Sequence, residues 1–475
     1  MLFCSQQFLL FFLAVFVVYW TTPWQRARVY LLLIASFIFY AAWNEWLAIL
    51  IVFSTTIDYF IARGMDATLR PRIRRLLLTI SILFNVGILC YFKYANFFLH
   101  SLEEALRGMG ASSSFPVLSV LLPIGISFYT FEAISYAVDV YRRKIHAEKN
   151  LAHFMLFILF FPHLIAGPIV RGSDFLPQIR RKKRWNWVRM NVGLQFFFLG
   201  MFKKLAIADR IAMLTDPVFA DPAAFQSGVL WITIAAYAVQ VYCDFSGYSD
   251  MALGTAHLLG YRLAINFNMP FLAANIAEFW RRWHISLSSW LRDYVFFSLG
   301  GSRGSRWQTH RNLMIVMAIG GLWHGANWPF IGFGVLMGAW LCLHREFREL
   351  SVSQPRFDAM LQTPMGTVCR VMLTFLGFCL TLVVFRSPSL ASATTMFECL
   401  FRSPNIGRAE PINLVSVAVL FGAVAFGHWL GTNGRWRKIF DAVPGTALGA
   451  ALAAAMTLAL ILTPDSGKTF IYFQF

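Results

Sequence analysis

Apolar runs of about 15 to 25 residues recur along the chain, and they limit its possible folds more than any other feature. A run of this length crosses the hydrocarbon core of a bilayer as one helix, and a soluble domain has too small an interior to bury many of them. Hydrophobic residues fill 58% of the positions and charged residues only 13%, so polar surface is scarce. The sequence therefore predicts an all-α polytopic membrane protein with roughly 10 to 12 transmembrane helices.

The distribution of Lys and Arg between these runs predicts the orientation of the spans. The loops 61–75 and 142–149 are strongly basic and are expected in the cytosol, whereas the loop 99–115 has two glutamates against one arginine and is expected outside. The first run lacks a basic start and a cleavage site, so it is expected to be retained. The predicted spans are 6–20, 28–43, 46–60, 77–98, 116–140, 190–210, 228–245, 371–386, 412–431 and 446–463.

The net charge of +18 fits the same membrane interpretation. Cytosolic loops of membrane proteins accumulate positive residues, so the charge does not indicate a nucleic-acid partner. A positive cytosolic surface also attracts anionic substrates such as a coenzyme A thioester. The partner predicted from composition is therefore the lipid bilayer, with an anionic cytosolic ligand as a second possibility.

Two apolar segments break the alternation of loops, because basic residues flank each of them on both sides. The run 151–170 contains "PHLIAGP", whose prolines and glycine interrupt a helix. The uncharged run 313–343 would measure about 46 Å as one helix, well beyond the hydrocarbon core, and "GGLWHGANWP" cuts it near the middle. Both segments are predicted to be re-entrant, with their irregular backbone buried in protein or lining a wet cavity.

The second of these segments places His324 near its deepest point, beside Trp323 and Asn327. A buried structural histidine bound to a carbonyl is the plain alternative. Ionisable groups inside a membrane are rare and usually functional, and an imidazole is a general base near neutral pH. We therefore predict a catalytic role for His324 and substrate contacts for Trp323 and Asn327.

Two further polar stretches contain candidate site residues. Helical spacing in 275–297 predicts an amphipathic helix on the cytosolic interface, with His284 in its middle and Arg281, Arg282 and Asp293 among its polar residues. In "YCDFSGYSDMALG", 242–254, Asp244 and Tyr248 contact either substrate or other helices in a structural polar knot, and Gly247 predicts a bend. The residues leave both roles open.

Several of these stretches resemble motifs of the membrane-bound O-acyltransferase (MBOAT) family. They are "EFWRRWHISLSSWLRDYVF" and, about forty residues later, "GGLWHGANW". "LPIGISFYTFEAISYAVDVYR", "FFPHLIAGPIVR" and "VYCDFSGYSDMALG" resemble its bacterial branch, which includes the membrane subunit of alginate O-acetylation and the D-alanyl transferase of teichoic acids. The resemblance covers roughly residues 1–350 and implies a helical ring around a central funnel. It implies one acyltransferase domain over 1–475, with C-terminal transmembrane helices at 367–475.

The resemblance also implies a reaction. His324 matches the invariant histidine of the family and His284 matches its second histidine. A bacterial inner-membrane enzyme of this kind moves an acyl group, here expected to be acetyl, from a cytosolic thioester such as acetyl-CoA. The acceptor is a hydroxyl of an extracytoplasmic polysaccharide or of a periplasmic acetyl-transferring, SGNH-hydrolase-like protein. No cofactor and no metal site is expected.

In this interpretation the basic residues near His284 bind the donor phosphates. They are Arg281, Arg282, Arg292, Arg303, Arg306 and Arg311. Contact with lipid headgroups is the alternative for these arginines.

Three other functions remain possible on the residues. D-alanyl transfer from a carrier protein is the alternative within acyltransferases. A transporter or flippase also uses broken helices and a buried histidine, although no internal repeat supports it. A bis-histidine haem protein is a weaker third alternative.

Overall fold

Every regular element of the described chain is a helix. The computed structural model describes residues 3–111, 114–402 and 414–462, and no strand occurs within these ranges. The chain forms two compact units, Met1–Phe197 with Ser249–Ala264, and Phe198–Tyr248 with Ile265–Phe475. The predicted all-α polytopic class is confirmed.

The first unit is built from helices that begin at polar caps and bury aromatic side chains. Asn44 and Asn150 cap α3 and α7 by accepting backbone N–H groups. Phe39 and Phe161 pack with ring centroids 5.6 Å apart in its core. The helices are α1 (Gln6–Thr21), α2 (Gln25–Ala41), α3 (Glu45–Ala67), α4 (Pro71–Leu89), α5 (Ala95–Gly108), α6 (Ile126–Tyr141), α7 (Leu151–Leu159), α8 (Phe161–Leu164) and α9 (Gly172–Arg180).

The predicted span 116–140 is only partly correct, because the chain is not helical before α6. Pro123 precedes Gly125, which has a φ of 78° and lies against the carbonyl oxygen of Leu164. A side chain at Gly125 would be strained and would collide with that carbonyl. The helix therefore begins at Ile126, and nearly every residue of α6 is buried.

The prediction that "PHLIAGP" interrupts a helix is confirmed. Helix α7 ends at Leu159, α8 is a single turn, and the chain from 165 to 171 is irregular. Buried side chains satisfy part of this backbone, as an irregular segment at depth requires. Ser36 Oγ accepts the N–H of Phe161 at 3.1 Å, and Glu132 Oε1 accepts the N–H of Val170 at 2.8 Å.

The second unit contains the remaining helices, while α10 (Trp187–Phe202) and α12 (Ser227–Leu258) contribute residues to both units. Its other helices are α11 (Asp209–Ala220), α13 (Ile276–Arg282), α14 (Ile285–Trp290), α15 (Arg306–His324), α16 (Trp328–Val352), α17 (Pro355–Gln362), α18 (Pro364–Arg386), α19 (Leu390–Phe401), α20 (Leu414–Gly431), α21 (Arg435–Ala442) and α22 (Gly445–Leu462). Residues 412–413 and 463, which belong to the predicted spans 412–431 and 446–463, lie outside the described residues.

The predicted span 190–210 is interrupted by a π-helical turn, Lys203–Ala208, that joins α10 to α11. Lys204 in this turn is buried, and its Nζ lies 2.9 Å from Asp209 Oδ1 and 2.6 Å from Asp244 Oδ1. The charge that weakens the apolar run is thus paired inside the protein. Two carboxylates hold the ammonium, which is how a charge is tolerated in an apolar interior.

Helix α12 is longer than the predicted span 228–245, and the predicted bend at Gly247 is wrong. The helix continues through Gly247 to Leu258. A Cβ on Gly247 would lie 2.7 Å from the carbonyl oxygen of Gly200 in α10. Gly247 therefore permits close contact between two helices, as small residues do within membranes.

Four helical stretches among the described residues are long and apolar enough to cross a membrane. They are Glu45–Ala67, Pro71–Gly108, Ser227–Leu258 and Pro364–Arg386. Shorter apolar helices occur at Gln6–Thr21, Leu390–Phe401 and Gly445–Ala459. The predicted total of roughly 10 to 12 crossings, the central funnel and the single-domain organisation stay predictions.

Candidate active site

The predicted break in 313–343 is confirmed, and the two helices that flank it form a tight pair; that the segment is re-entrant stays a prediction. Helix α15 ends at His324, Gly325 and Asn327 are extended, and α16 begins at Trp328 with Pro329 in its first turn. A Cβ on Gly321 would overlap the carbonyl oxygen of Phe330, and a Cβ on Gly334 would overlap that of Met317. The backbones of α15 and α16 therefore touch where these glycines lie.

His324 occupies the last position of α15 and is 7% exposed. Its ring packs edge-on against Phe333 of α16 and Phe385 of α18, with centroid distances of 6.1 Å and 5.2 Å. Its position is therefore determined by three helices of the second unit. Phe385 comes from the C-terminal third of the chain, where the sequence offered no motif.

The second histidine, His284, lies at a break that the sequence did not predict. The expectation of one amphipathic helix over 275–297 is wrong, because α13 ends at Arg282, α14 begins at Ile285, and Leu291–Phe296 forms a π-helical turn. The expected apolar face is buried, since Phe279, Leu287 and Leu291 are at most 5% exposed. The backbone break, not the amphipathic pattern, places His284 inside the unit.

The break at His284 is strained and is stabilised by a distant loop. His284 has a φ of 42°, a left-handed conformation that costs a non-glycine residue roughly 1 to 2 kcal/mol. The N–H of Ile285 donates to the carbonyl oxygen of Asn266 at 2.9 Å, and Ser286 Oγ donates to Asn266 Oδ1 at 2.6 Å. Asn266 and Ser286 are site-supporting residues that sequence reasoning missed, and only the adjacent "NFN" in a non-helical stretch pointed to them.

Trp323 lies against both histidines. Its ring centroid is 5.5 Å from that of His284 and 5.0 Å from that of His324. His284 is fully buried and also packs edge-on against Phe245 of α12, at 4.6 Å. The two histidines, more than twenty residues apart in sequence, thus share one aromatic neighbour.

His284 lies outside the four candidate membrane-spanning helices, and its environment disfavours the charged ring. Burial, and to a smaller extent the nearby His324, lowers the pKa of His284 well below its ordinary value. The ring is therefore neutral at neutral pH, and a neutral imidazole has one nitrogen that donates and one that accepts.

A cavity of about 200 Å³ adjoins His324. Its walls are mostly apolar and include Leu287, Val316, Met317 and Phe333. Besides His324, the polar side chains that line it are Ser288 and Arg292. A small apolar chamber with one imidazole in its wall suits the reacting end of a ligand.

Of the remaining predicted site residues of the hairpin and of α13, Asn327 and Arg282 have structural partners. Asn327 Oδ1 accepts the N–H of Trp328 at 2.8 Å and its amide donates to the carbonyl of Pro388 at 2.9 Å. Arg282 pairs with Glu278 at 2.8 Å, and Arg281 is exposed. The predicted roles of Asn327 in substrate contact and of the two arginines in donor binding stay predictions.

Three of the six arginines expected to bind the donor are already neutralised. Arg282, Arg292 and Arg306 pair with Glu278, Asp293 and Glu346, respectively. Within the described chain, no carboxylate pairs with Arg281, Arg303 or Arg311, and all three are exposed. If the six arginines bind the donor phosphates, these three exposed arginines carry most of the positive charge that no carboxylate balances.

Asp244 and Tyr248 lie on α12 and are at most 5% exposed. The ion pair from Asp244 to Lys204 links α12 to the π-helical turn. This placement favours the structural polar knot over direct substrate contact for Asp244. For Tyr248, substrate contact stays a prediction.

Comparison with known proteins identifies the family of the chain. The sequence model of the MBOAT, membrane-bound O-acyltransferase family matches residues 75–386, a range that contains His284, the α15–α16 hairpin and Phe385. The C-terminal limit of the match lies beyond the region of roughly 1–350 that the motifs covered. Phe385, which contacts His324, falls in this additional part.

Several named relatives match most of this chain. A Pseudomonas aeruginosa protein named "Probable alginate O-acetylase AlgI" is 43% identical over 404 residues, which cover 84% of this chain and 75% of that protein. A Pseudomonas putida protein of the same name is 38% identical and covers both chains completely. A Helicobacter pylori "Peptidoglycan O-acetyltransferase" is 37% identical, over 77% of this chain and 72% of that one. The chain belongs to the membrane-bound O-acyltransferase family and is an O-acyltransferase.

Proposed function

We propose that this O-acyltransferase transfers an acetyl group from acetyl-CoA in the cytosol to a hydroxyl of an extracytoplasmic polysaccharide, directly or through a periplasmic carrier protein. The observation that supports it most is the buried His324, which lines a cavity at a helix break and shares its neighbour Trp323 with the buried His284. Two relatives are named as a probable alginate O-acetylase and a peptidoglycan O-acetyltransferase, and these names support a polysaccharide acceptor. The basic loops, such as 61–75 and 142–149, support a bacterial inner-membrane location with these loops in the cytosol.

In the proposed reaction His324 takes the proton of the acceptor hydroxyl as its oxygen attacks the thioester carbonyl. A new carbon–oxygen ester bond forms and the carbon–sulfur bond breaks. The thiolate leaves with the electron pair of that bond and then receives the proton from the imidazolium. Asn327 or a backbone N–H of the irregular residues 325–327 stabilises the oxyanion.

The size of the cavity supports a small acyl group. About 200 Å³ is less than the volume that usually encloses a whole drug-sized ligand. The cavity therefore suits only the thioester end, with the apolar walls around the acetyl methyl group. The nucleotide end of coenzyme A would lie on the basic surface that carries Arg281.

Purified protein incubated with radiolabelled acetyl-CoA and a candidate glycan tests the proposal. We expect label to enter the glycan, or a co-purified periplasmic protein, and not to do so when acceptor is omitted. Transfer from a D-alanyl carrier protein but not from acetyl-CoA would replace this proposal with the D-alanyl alternative. Movement of an acceptor across vesicles without labelled ester would favour a transporter.

Replacing Arg281 with Gln should raise the apparent KM for acetyl-CoA, because this exposed arginine has no carboxylate partner to neutralise it. The difference from the wild type should shrink as salt rises, since exposed charges are screened over about 10 Å at 0.1 M salt. Arg306→Gln is the matched control, because Glu346 already neutralises that guanidinium. Equal donor KM values in the wild type and a stable Arg281→Gln protein would remove Arg281 from the donor site.

A further inference from the structure

The first unit contains a cluster of three positive side chains, Arg28, Lys183 and Arg189, of which the first two are buried and Arg189 is half-buried. Arg28 and Lys183 are 6% and 8% exposed. The Nζ of Lys183 lies 4.2 Å from the ring centroid of Tyr261. Arg28 and Arg189 both lie over the ring of Trp20, at 5.2 Å and 5.8 Å from its centroid. We call these three residues the basic cluster.

Within the described residues, the basic cluster has no acidic partner. Arg28 donates to two carbonyls, those of Thr22 and Lys183, at 2.7 Å and 2.9 Å. Among the described residues, no hydrogen-bond acceptor contacts Lys183 Nζ or the buried Nε of Arg189, although Arg189 Nη2 donates to the carbonyl oxygen of Arg184. Three positive charges are therefore held together by carbonyl and aromatic contacts alone.

Local dipoles and aromatic rings balance only part of this charge. The side chain of Lys183 packs on Gly260, just beyond the C-terminus of α12, where the helix dipole amounts to about half a negative charge. Burial and nearby positive charges also disfavour the charged form of Lys183. Burial first, then Arg189 and Arg181, lower the pKa of Lys183 to about 8. An uncompensated buried cation is unfavourable, so an anion bound here would stabilise the unit.

The surroundings indicate which anion is available. Trp185 packs on Trp20 with a centroid distance of 5.2 Å and is 43% exposed, while the adjacent Trp187 is 73% exposed. Exposed tryptophans beside Lys and Arg are typical of the headgroup level of a bilayer, where phosphodiesters lie. Arginine and lysine are also the usual ligands of phosphate oxygens.

We propose that the basic cluster is a phosphate-binding site, independent of the reaction at His324. Two sources supply this chemistry, the headgroup of an anionic phospholipid and a soluble phosphate ester such as coenzyme A. The neighbouring exposed tryptophans favour the phospholipid. A bound headgroup would hold α2, the 181–186 loop and the start of α10 together.

Native mass spectrometry of the detergent-purified chain with phosphatidylglycerol, and separately with phosphatidylcholine, tests the site. The wild type should retain phosphatidylglycerol in preference to phosphatidylcholine. Lys183→Gln and Arg189→Gln should each weaken retention about tenfold, which is the usual effect of losing one charge-assisted contact. Lys182→Gln is the matched control, because it removes the same charge from an exposed neighbour. Lys183→Arg should keep retention near the wild-type value.

A second arm measures thermal stabilisation of the same proteins by inorganic phosphate and by coenzyme A. Stabilisation that depends on Lys183 and Arg189, without lipid selectivity, would support the phosphate site and assign it to a soluble ligand. Equal losses in Lys182→Gln and Lys183→Gln would overturn the proposal, as would binding of neither probe. Because the readout is binding, failure of acetyl transfer does not affect the result.

Discussion

Replacing His324 with Ala should abolish acyl transfer while the protein stays folded and inserted. Loss of a general base typically lowers a rate about 10²- to 10⁴-fold, and His324 is the one imidazole that lines the cavity beside it. The measurement is the initial rate of acetyl transfer at saturating donor, with the apparent donor KM determined in parallel. We expect the loss in kcat and little change in KM, because the ring acts on the acceptor proton.

His428→Ala is a matched control for this experiment, because it removes another buried ring of the second unit. His428 is 3% exposed and stacks on Phe271 at 5.2 Å, so its loss affects packing without removing the proposed base. His428→Ala should lower the rate less than about tenfold relative to the wild type, which is a smaller loss than that of a general base. A folded His324→Ala protein with wild-type activity would exclude His324 as the base, whatever the result for His428.

The helix break at His324 was predictable because its causes are local. Glycine and proline within an uncharged run too long for one span indicate a break, and the structure places it at residues 325–327. The same reasoning located the interruption in 151–170. Apolar periodicity likewise predicted the buried face of 275–297, since it depends only on which side chains avoid water.

The break at His284 was not predictable because its cause lies elsewhere in the chain. Residues 278–296 have good helical periodicity, and nothing within them marks a left-handed residue. The backbone groups freed at the break are bound by Asn266, about twenty residues earlier in the sequence. A single sequence does not show that such a tertiary hydrogen bond will replace a helical one.

Other misses have the same origin in tertiary contacts. Lys204 interrupts the apolar run 190–210, and its charge is neutralised by Asp209 and by Asp244 of α12. Phe385 completes the aromatic surroundings of His324 from a helix with no recognisable motif. The apolar residues 116–125 have the hydropathy of a span, yet they are not helical, and α6 begins only at Ile126, after Pro123 and Gly125. In each case hydropathy identified burial but not the partner.

The contact between α15 and α16 should make Gly334 one of the least replaceable residues near the site. Gly334→Ala puts a methyl group against the carbonyl of Met317, so the helices must separate or the backbone must shift. Overpacking of this kind costs about 1 to 3 kcal/mol. Because His324 ends α15, a displacement of about 1 Å would also lower the transfer rate by up to about 100-fold. The measurements are the thermal midpoint and the rate of acetyl transfer.

Gly332→Ala, two residues away on α16, should have the opposite effect on stability. Its methyl group would meet a Val384 methyl at 3.4 Å, which is an ordinary contact, and alanine is the better helix former. This substitution should be neutral or stabilising by about 0.4 to 1 kcal/mol, with transfer unchanged. Comparing Gly334→Ala with Gly332→Ala distinguishes the effect of disturbing the α15–α16 contact from the general effect of adding a methyl group to α16. If Gly334→Ala were as stable and as active as Gly332→Ala, the backbones of α15 and α16 would not touch there, and the positioning of His324 would need another explanation.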